Sequence, residues 1–231
     1  MSSSNDEANS WPPEVLPTAV IFDMDGVIFD TEPIWLEAET ELLKRRGKVF
    51  PPEFARKIMG VPGGKAMQMV AEEFGLSESG SELTLELNGI FHDMLETRLS
   101  IMPGFLDRLA LLERRNILRA VATSTERKLA HSMLGRFGLV ERFACILTRD
   151  DVTHGKPHPE IYLAAADRLG ITPARAVVLE DSLAGMNSAN TAGCIVIGLR
   201  HPLTASLEFP HAHLVVDHHS DPRIELLFES R

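Results

Sequence analysis

The sequence predicts an α/β fold: a doubly wound parallel sheet carrying an inserted all-α domain. Three observations lead there. A short, β-branched apolar run, Thr18–Asp23, stands alone near the start of the chain. No convincing strand lies between residues 33 and 100, where the apolar spacing is helical. After Met102-Pro103-Gly104, short apolar runs alternate with longer helical patterns, which is the signature of βαβ units with both sheet faces covered. The expected organisation is an α/β core formed by 17–32 and 100–231, a helical domain at 33–99, and a mobile N-terminal extension at 1–16.

Each element has a local reason. Residues 1–10 are polar and acidic with no apolar stretch, and Pro12, Pro13 and Pro17 close the segment. Thr18–Asp23 reads as a buried strand. Pro33 suits the first turn of a helix running to about Arg46. Helical spacing returns at Gly64–Phe74 and Ser81–Leu99. Phe105–Arg115 is a helix, Leu118–Thr123 a strand, and Glu126–Phe137 a helix. Ala144–Leu147 is a short strand and Pro159–Leu169 a helix. Ala176–Glu180 (AVVLE) is a strand, Leu183–Ala192 a helix, Ile195–Gly198 a strand, and Leu214–Val216 a further short strand.

Composition narrows the function. The formal charge of -10 disfavours nonspecific contact with nucleic acid or an anionic membrane. The opening residues do not form a signal peptide, and no run reaches the roughly 18 apolar residues of a membrane span. Cys145 and Cys194 each sit in an apolar run and read as buried small hydrophobes, which fits a reducing, cytoplasmic setting.

In an open parallel sheet, ligands bind beyond the carboxyl ends of the strands. Asp23 and Asp25 follow the first strand, Thr123 and Ser124 follow LRAVA, and Glu180 and Asp181 close AVVLE. Lys156 lies between Gly155 and Pro157 in the loop after Ala144–Leu147. Each feature alone is ordinary turn, cap or surface chemistry. The ordered set, each at a strand's carboxyl end, is not. Clustered carboxylates need a cation, and an all-oxygen set suits Mg²⁺. Lys156, Thr123 and Ser124 supply charge and donors for a phosphate. One carboxylate can then attack phosphorus while a second, two residues on, handles the proton.

On these motifs the sequence resembles the haloacid dehalogenase superfamily of phosphotransferases. The matching stretches are Phe22-Asp23-Met24-Asp25-Gly26-Val27, Val121-Ala122-Thr123-Ser124, Gly155-Lys156-Pro157-His158-Pro159 and Glu180-Asp181-Ser182. The resemblance implies that Asp23 is the nucleophile and Asp25 the general acid/base. It implies Mg²⁺ on the side chains of Asp23 and Asp181 and on the Asp25 main-chain carbonyl, with Glu180 touching the metal or its waters. Thr123, Ser124 and Lys156 would hold the phosphate. The helical insertion is similar to the cap of the subfamily that includes β-phosphoglucomutase and sugar-phosphate phosphatases, which closes over the site and chooses the leaving group. Asp30–Trp35 (DTEPIW) is closest to sugar-phosphate and pseudouridine-phosphate phosphatases.

The expected activity is therefore Mg²⁺-dependent hydrolysis of a small phosphorylated metabolite, a sugar or nucleoside phosphate, by a monomer or weak dimer. A phosphosugar mutase is the first alternative. It is disfavoured because Gly60-Val61-Pro62-Gly63-Gly64-Lys65 lacks the mutase arginine and Trp35 replaces its histidine. A non-catalytic binding protein on the same fold is the second. The same loop imitates a P-loop, but its spacing is one residue short and Ala66 lacks the hydroxyl, so an NTPase is rejected. Lys65 reads as a solvated lysine. His211, His213, His218 and His219 read as an ordinary exposed edge.

Overall fold

The computed structural model describes residues 16–228 other than 59, 60, 62, 205 and 206. All but Leu16 of the expected N-terminal extension lies outside the described residues. The chain divides into two compact units: residues 30–100, and the segments on either side of them.

The flanking segments build a six-stranded sheet. Its strands are β1 (Ala19–Phe22), β2 (Leu118–Ala122), β3 (Cys145–Leu147), β4 (Ala176–Glu180), β5 (Ile195–Leu199) and β6 (Leu214–Val216). They are all parallel, in the order β3-β2-β1-β4-β5-β6. From β1 the chain winds outward to β3, returns to β4 beside β1, and winds out the other way. The order therefore reverses between β1 and β4, which is where open α/β sheets bind ligands. Phe22 pairs with Val121 on one side and Leu179 on the other, so the residues that follow these three strands meet at one edge.

Helices α5 (Phe105–Arg114), α6 (Arg127–Arg136), α7 (Glu160–Arg168) and α8 (Leu183–Thr191) connect the strands, and a short α9 (Pro222–Glu225) follows β6. Ile161, Tyr162 and Ala165 of α7 and Met186 and Ala189 of α8 pack with Ile21, Ala122 and Val178 of the sheet. Phe22 meets Phe105 of α5 edge-on at 5.4 Å. The central strands β1 and β4 are buried throughout, so they read as continuous apolar runs rather than alternating ones. Cys194 is buried as expected, but Cys145 is only half-buried because β3 is the sheet's edge strand.

Residues 30–100 hold α1 (Glu32–Lys44), α2 (Pro52–Ile58), α3 (Gly63–Phe74) and α4 (Gly80–Arg98). Helix α2 is absent from the sequence reading. Pro51-Pro52 resembles a breaker, yet a proline at the first helical position has no amide hydrogen to leave unpaired. Helix α4 opens with a capping box between Ser79 and Glu82. Trp35 of α1 stacks on Phe91 of α4 at 3.7 Å. Just beyond α1, Arg46 bonds Glu78 at 2.9 Å and Glu86 at 2.6 Å. No described helix is long and apolar enough to cross a membrane.

In the histidine-rich tail, β6 is an edge strand with His211 and His218 exposed as expected, but His213 and His219 correct the reading. His213 Nδ1 accepts the Val196 amide at 3.1 Å. His219 is fully buried and its Nε2–H donates to the Val27 carbonyl at 2.7 Å. The Arg108 guanidinium of α5, itself buried, donates to the carbonyls of His219 and Asp221. The tail is thus fastened to the loop that follows Asp25.

Candidate active site

Strand β1 ends in Asp23, whose amide donates to the Leu179 carbonyl at 3.0 Å. Hydrogen bonding thus continues one residue past the strand and fixes the carboxylate beside the end of β4. Gly26, at φ +69, turns the chain away, and the bond from its amide to Phe29 O closes the loop. A Cβ at Gly26 would overlap the Asp181 carboxylate, so both conformation and space require glycine.

Lys156 reaches into this edge from the loop after β3. Its ammonium donates to Asp23 Oδ1 at 2.5 Å, Glu180 Oε1 at 2.6 Å and the Ala122 carbonyl at 2.9 Å. The Lys156 side chain is 5% exposed and that of Glu180 0%. Burial works against the ammonium, but Asp23 and Glu180 outweigh it and raise its pKa above the ordinary lysine value. Burial first, then the Glu180 and Asp25 charges, push Asp23 up to about 8 against the pull of Lys156.

Glu180 is held on every side. Tyr162 donates to Oε1 at 2.6 Å, and the Ser182 hydroxyl and amide donate to Oε2 at 2.9 and 3.2 Å. Ser182 also caps α8 by accepting the Gly185 amide at 3.0 Å. A Cβ at Gly185 would overlap the Glu180 carboxylate.

After β2, Thr123 is buried and its Oγ1 accepts the Thr125 amide at 3.0 Å, while Ser124 is exposed. Thr125 Oγ1 donates to Asp25 Oδ2 at 2.9 Å.

Asp23, Glu180 and Asp181 each place a carboxylate oxygen within 4.8 Å of the others. The donor set is all oxygen, and Asp23 is disfavoured as an anion by burial and by the Glu180 and Asp25 charges. Both facts fit a hard divalent cation, which would relieve that repulsion. The structure thus places Asp23, Asp25, Thr123, Lys156, Glu180 and Asp181 around the ends of β1, β2 and β4, with Ser124 exposed on the β2 turn. Two residues enter that sequence reading did not name. Thr125 orients Asp25, and Tyr162 holds Glu180. Lys156, expected as a phosphate-holding residue, is buried.

A family model for haloacid dehalogenase-like hydrolases matches residues 20–199. The chain is 35% identical over 190 residues to the phosphorylated carbohydrates phosphatase of Thermotoga maritima, covering 80% of this chain and 86% of that protein. It is 30% identical over 207 residues to the N-acetylmuramic acid 6-phosphate phosphatase of Pseudomonas aeruginosa, covering 87% and 90%. Among solved structures, CbbY from Rhodobacter sphaeroides in complex with phosphate matches with a TM-score of 0.70 at 28% identity, covering 89% of this chain and 96% of that one. Motifs, topology and similarity agree, and the chain belongs to the haloacid dehalogenase-like hydrolase family.

Proposed function

We propose that the protein is a Mg²⁺-dependent phosphatase acting on a small phosphorylated metabolite, a sugar or nucleoside phosphate. The observation that carries this reading is Lys156 bridging Asp23 and Glu180 at the reversal of strand order. Similarity to phosphatases of phosphorylated carbohydrates supports the substrate class.

Asp23 attacks phosphorus, and the bond from phosphorus to the leaving oxygen breaks. Asp25, oriented by Thr125, gives its proton to that oxygen. Asp25 then takes a proton from the water that attacks the aspartyl-phosphate, and phosphate departs with Asp23 restored. Lys156 pulls the raised Asp23 pKa back down and adds positive charge where the phosphoryl group sits. Thr123, Ser124 and the turn they form offer hydroxyl and amide donors to its oxygens. Asp23, Asp181 and the Asp25 carbonyl would hold Mg²⁺, with Glu180 at its edge. When bound, the ion screens the repulsion between nucleophile and substrate. Substrate choice is assigned to the helical residues 33–99.

A screen of phosphorylated sugars and nucleosides for inorganic phosphate tests the reading. Release should require Mg²⁺, stop with a chelator, and vanish in Asp23→Asn. Full turnover by that variant would reject the aspartyl-phosphate route. Conversion of β-glucose 1-phosphate to glucose 6-phosphate without free phosphate would identify a mutase instead.

A further inference from the structure

Outside the carboxylate cluster, one other group among the described residues converges with metal-ligand chemistry: His154, His158 and Glu160. From these residues we infer a second metal site, for a transition metal of the Zn²⁺ class, on the loop that carries Lys156.

The spacing suits the ion. A tetrahedral zinc with ligand distances near 2.0–2.1 Å sets neighbouring ligand atoms about 3.3 Å apart. His154 Nδ1 lies 3.1 Å and His158 Nδ1 3.8 Å from Glu160 Oε2, which brackets that value. The two imidazole rings face each other at 4.7 Å with a 36° tilt. Both histidines are exposed, so an ion can enter, and a water can complete a site with three protein ligands.

The loop is ordered for the purpose. The Thr153 and His154 amides donate to the two Glu160 oxygens at 2.8 and 2.9 Å, which fixes the carboxylate and keeps it ionised. Pro157 and Pro159 restrict the backbone on either side of His158. The Ser188 hydroxyl of α8 donates to the His158 carbonyl at 2.7 Å and pins that residue to the core. The Glu160 amide reaches His158 Nδ1 at 3.3 Å, a bond long enough to be exchanged for a metal. Two imidazoles and one carboxylate favour zinc or copper over magnesium, whereas the all-oxygen Asp23 cluster has the opposite preference.

The test is zinc binding by the full chain, read by competition with a chromophoric zinc chelator in excess Mg²⁺. No activity is measured, so failure of the phosphatase reading and failure of this one are separable. The unmodified chain should take up one zinc that Mg²⁺ does not displace. His154→Ala with His158→Ala should weaken uptake by more than about tenfold, since loss of an outer partner alone does as much. Asp23→Asn should bind zinc as the unmodified chain does. His154→Gln, a single change at an exposed position, should weaken binding with an unchanged circular dichroism spectrum. Absence of uptake by the unmodified chain, or uptake by the histidine variants equal to it, would overturn the site.

Discussion

Replacing Lys156 by Met removes the one ammonium that donates to both Asp23 and Glu180 while nearly preserving side-chain volume. The two carboxylates are then left together with their side chains 10% and 0% exposed. Breaking a buried ion pair by deleting one partner destabilises by about 3–5 kcal/mol, because the remaining charge has neither water nor counterion. The sign of the pH dependence follows. Asp23 already titrates at about 8 in the fold against 3.8 ordinarily, with Lys156 pulling it down. Without that pull, Asp23 rises further, so the folded variant holds protons that the unfolded chain has released. The stability deficit of Lys156→Met should therefore be level between about pH 5 and 8, where Asp23 holds its proton in both folded proteins, and widen above pH 8. Urea unfolding of both proteins, with chelator present and at several pH values, measures it. A deficit below about 1 kcal/mol, or one that does not widen above pH 8, would refute the assignment of Lys156 as the counterion of a buried carboxylate pair. Adding Mg²⁺ should shrink the deficit, because a divalent cation at Asp23 and Asp181 answers the same negative field.

The other predictions concern residues around this centre. His219 is held neutral: burial first, with the Arg108 and His218 charges, pushes it from 6.5 to about 4 against the pull of the Val27 carbonyl. A lowered histidine contributes stability above 6.5 that is lost as pH falls toward 4, here about 3 kcal/mol, so denaturant titrations should show an acid-sensitive slope that His219→Gln abolishes. Gly185→Ala and Gly89→Ala should move stability in opposite directions. Gly89 lies in α4 with open space around it and should gain about 0.5–1 kcal/mol, whereas the methyl at Gly185 meets Glu180 and should lose about 1–3 kcal/mol in the same thermal unfolding assay. Thr125→Val removes the donor to Asp25, and a hydrogen bond to a charged group is worth about 1.5–3 kcal/mol. Phosphatase kcat should therefore fall by about ten- to a hundredfold with KM little changed, and an equal rise in KM would assign Thr125 to substrate binding instead.

The parallel sheet was legible because its strands are short apolar runs bounded by polar residues, and the polar residues at their carboxyl ends were legible for the same reason. What the sequence could not carry was depth. Lys156 was read as a site residue, but its neighbours Gly, His and two prolines gave no sign of its burial, which arises because the loop after β3 crosses the end of β2 to reach Asp23. Thr125 is 100 residues from Asp25 along the chain, and only strand order brings them together. Helix α2 was hidden behind Pro51-Pro52, where the rule that proline breaks helices competes with the rule that it starts them.

Tyr162 differs from these, since a signal for it existed. It is the chain's one tyrosine, and it falls on the face of α7 shared with Ile161, Ala165 and Ala166, all of them buried. An apolar helical face that carries a phenol commits the hydroxyl to the interior, where it must find an acceptor. Any helix of a doubly wound sheet lies against the strands, and the strand interiors offer no free acceptor because their carbonyls are paired in the ladders. The acceptor must then lie at a strand's end, as a side chain or as a last carbonyl like that of Ala122, which Lys156 uses. Of the strand-end groups, Glu180 is one whose second oxygen is already fixed by Ser182, leaving Oε1 for the phenol and for Lys156. The hydroxyl thus helps to position the same Glu180 oxygen to which Lys156 donates. Removing it as Tyr162→Phe should leave the packing of α7 intact while loosening the ammonium's grip on Asp23.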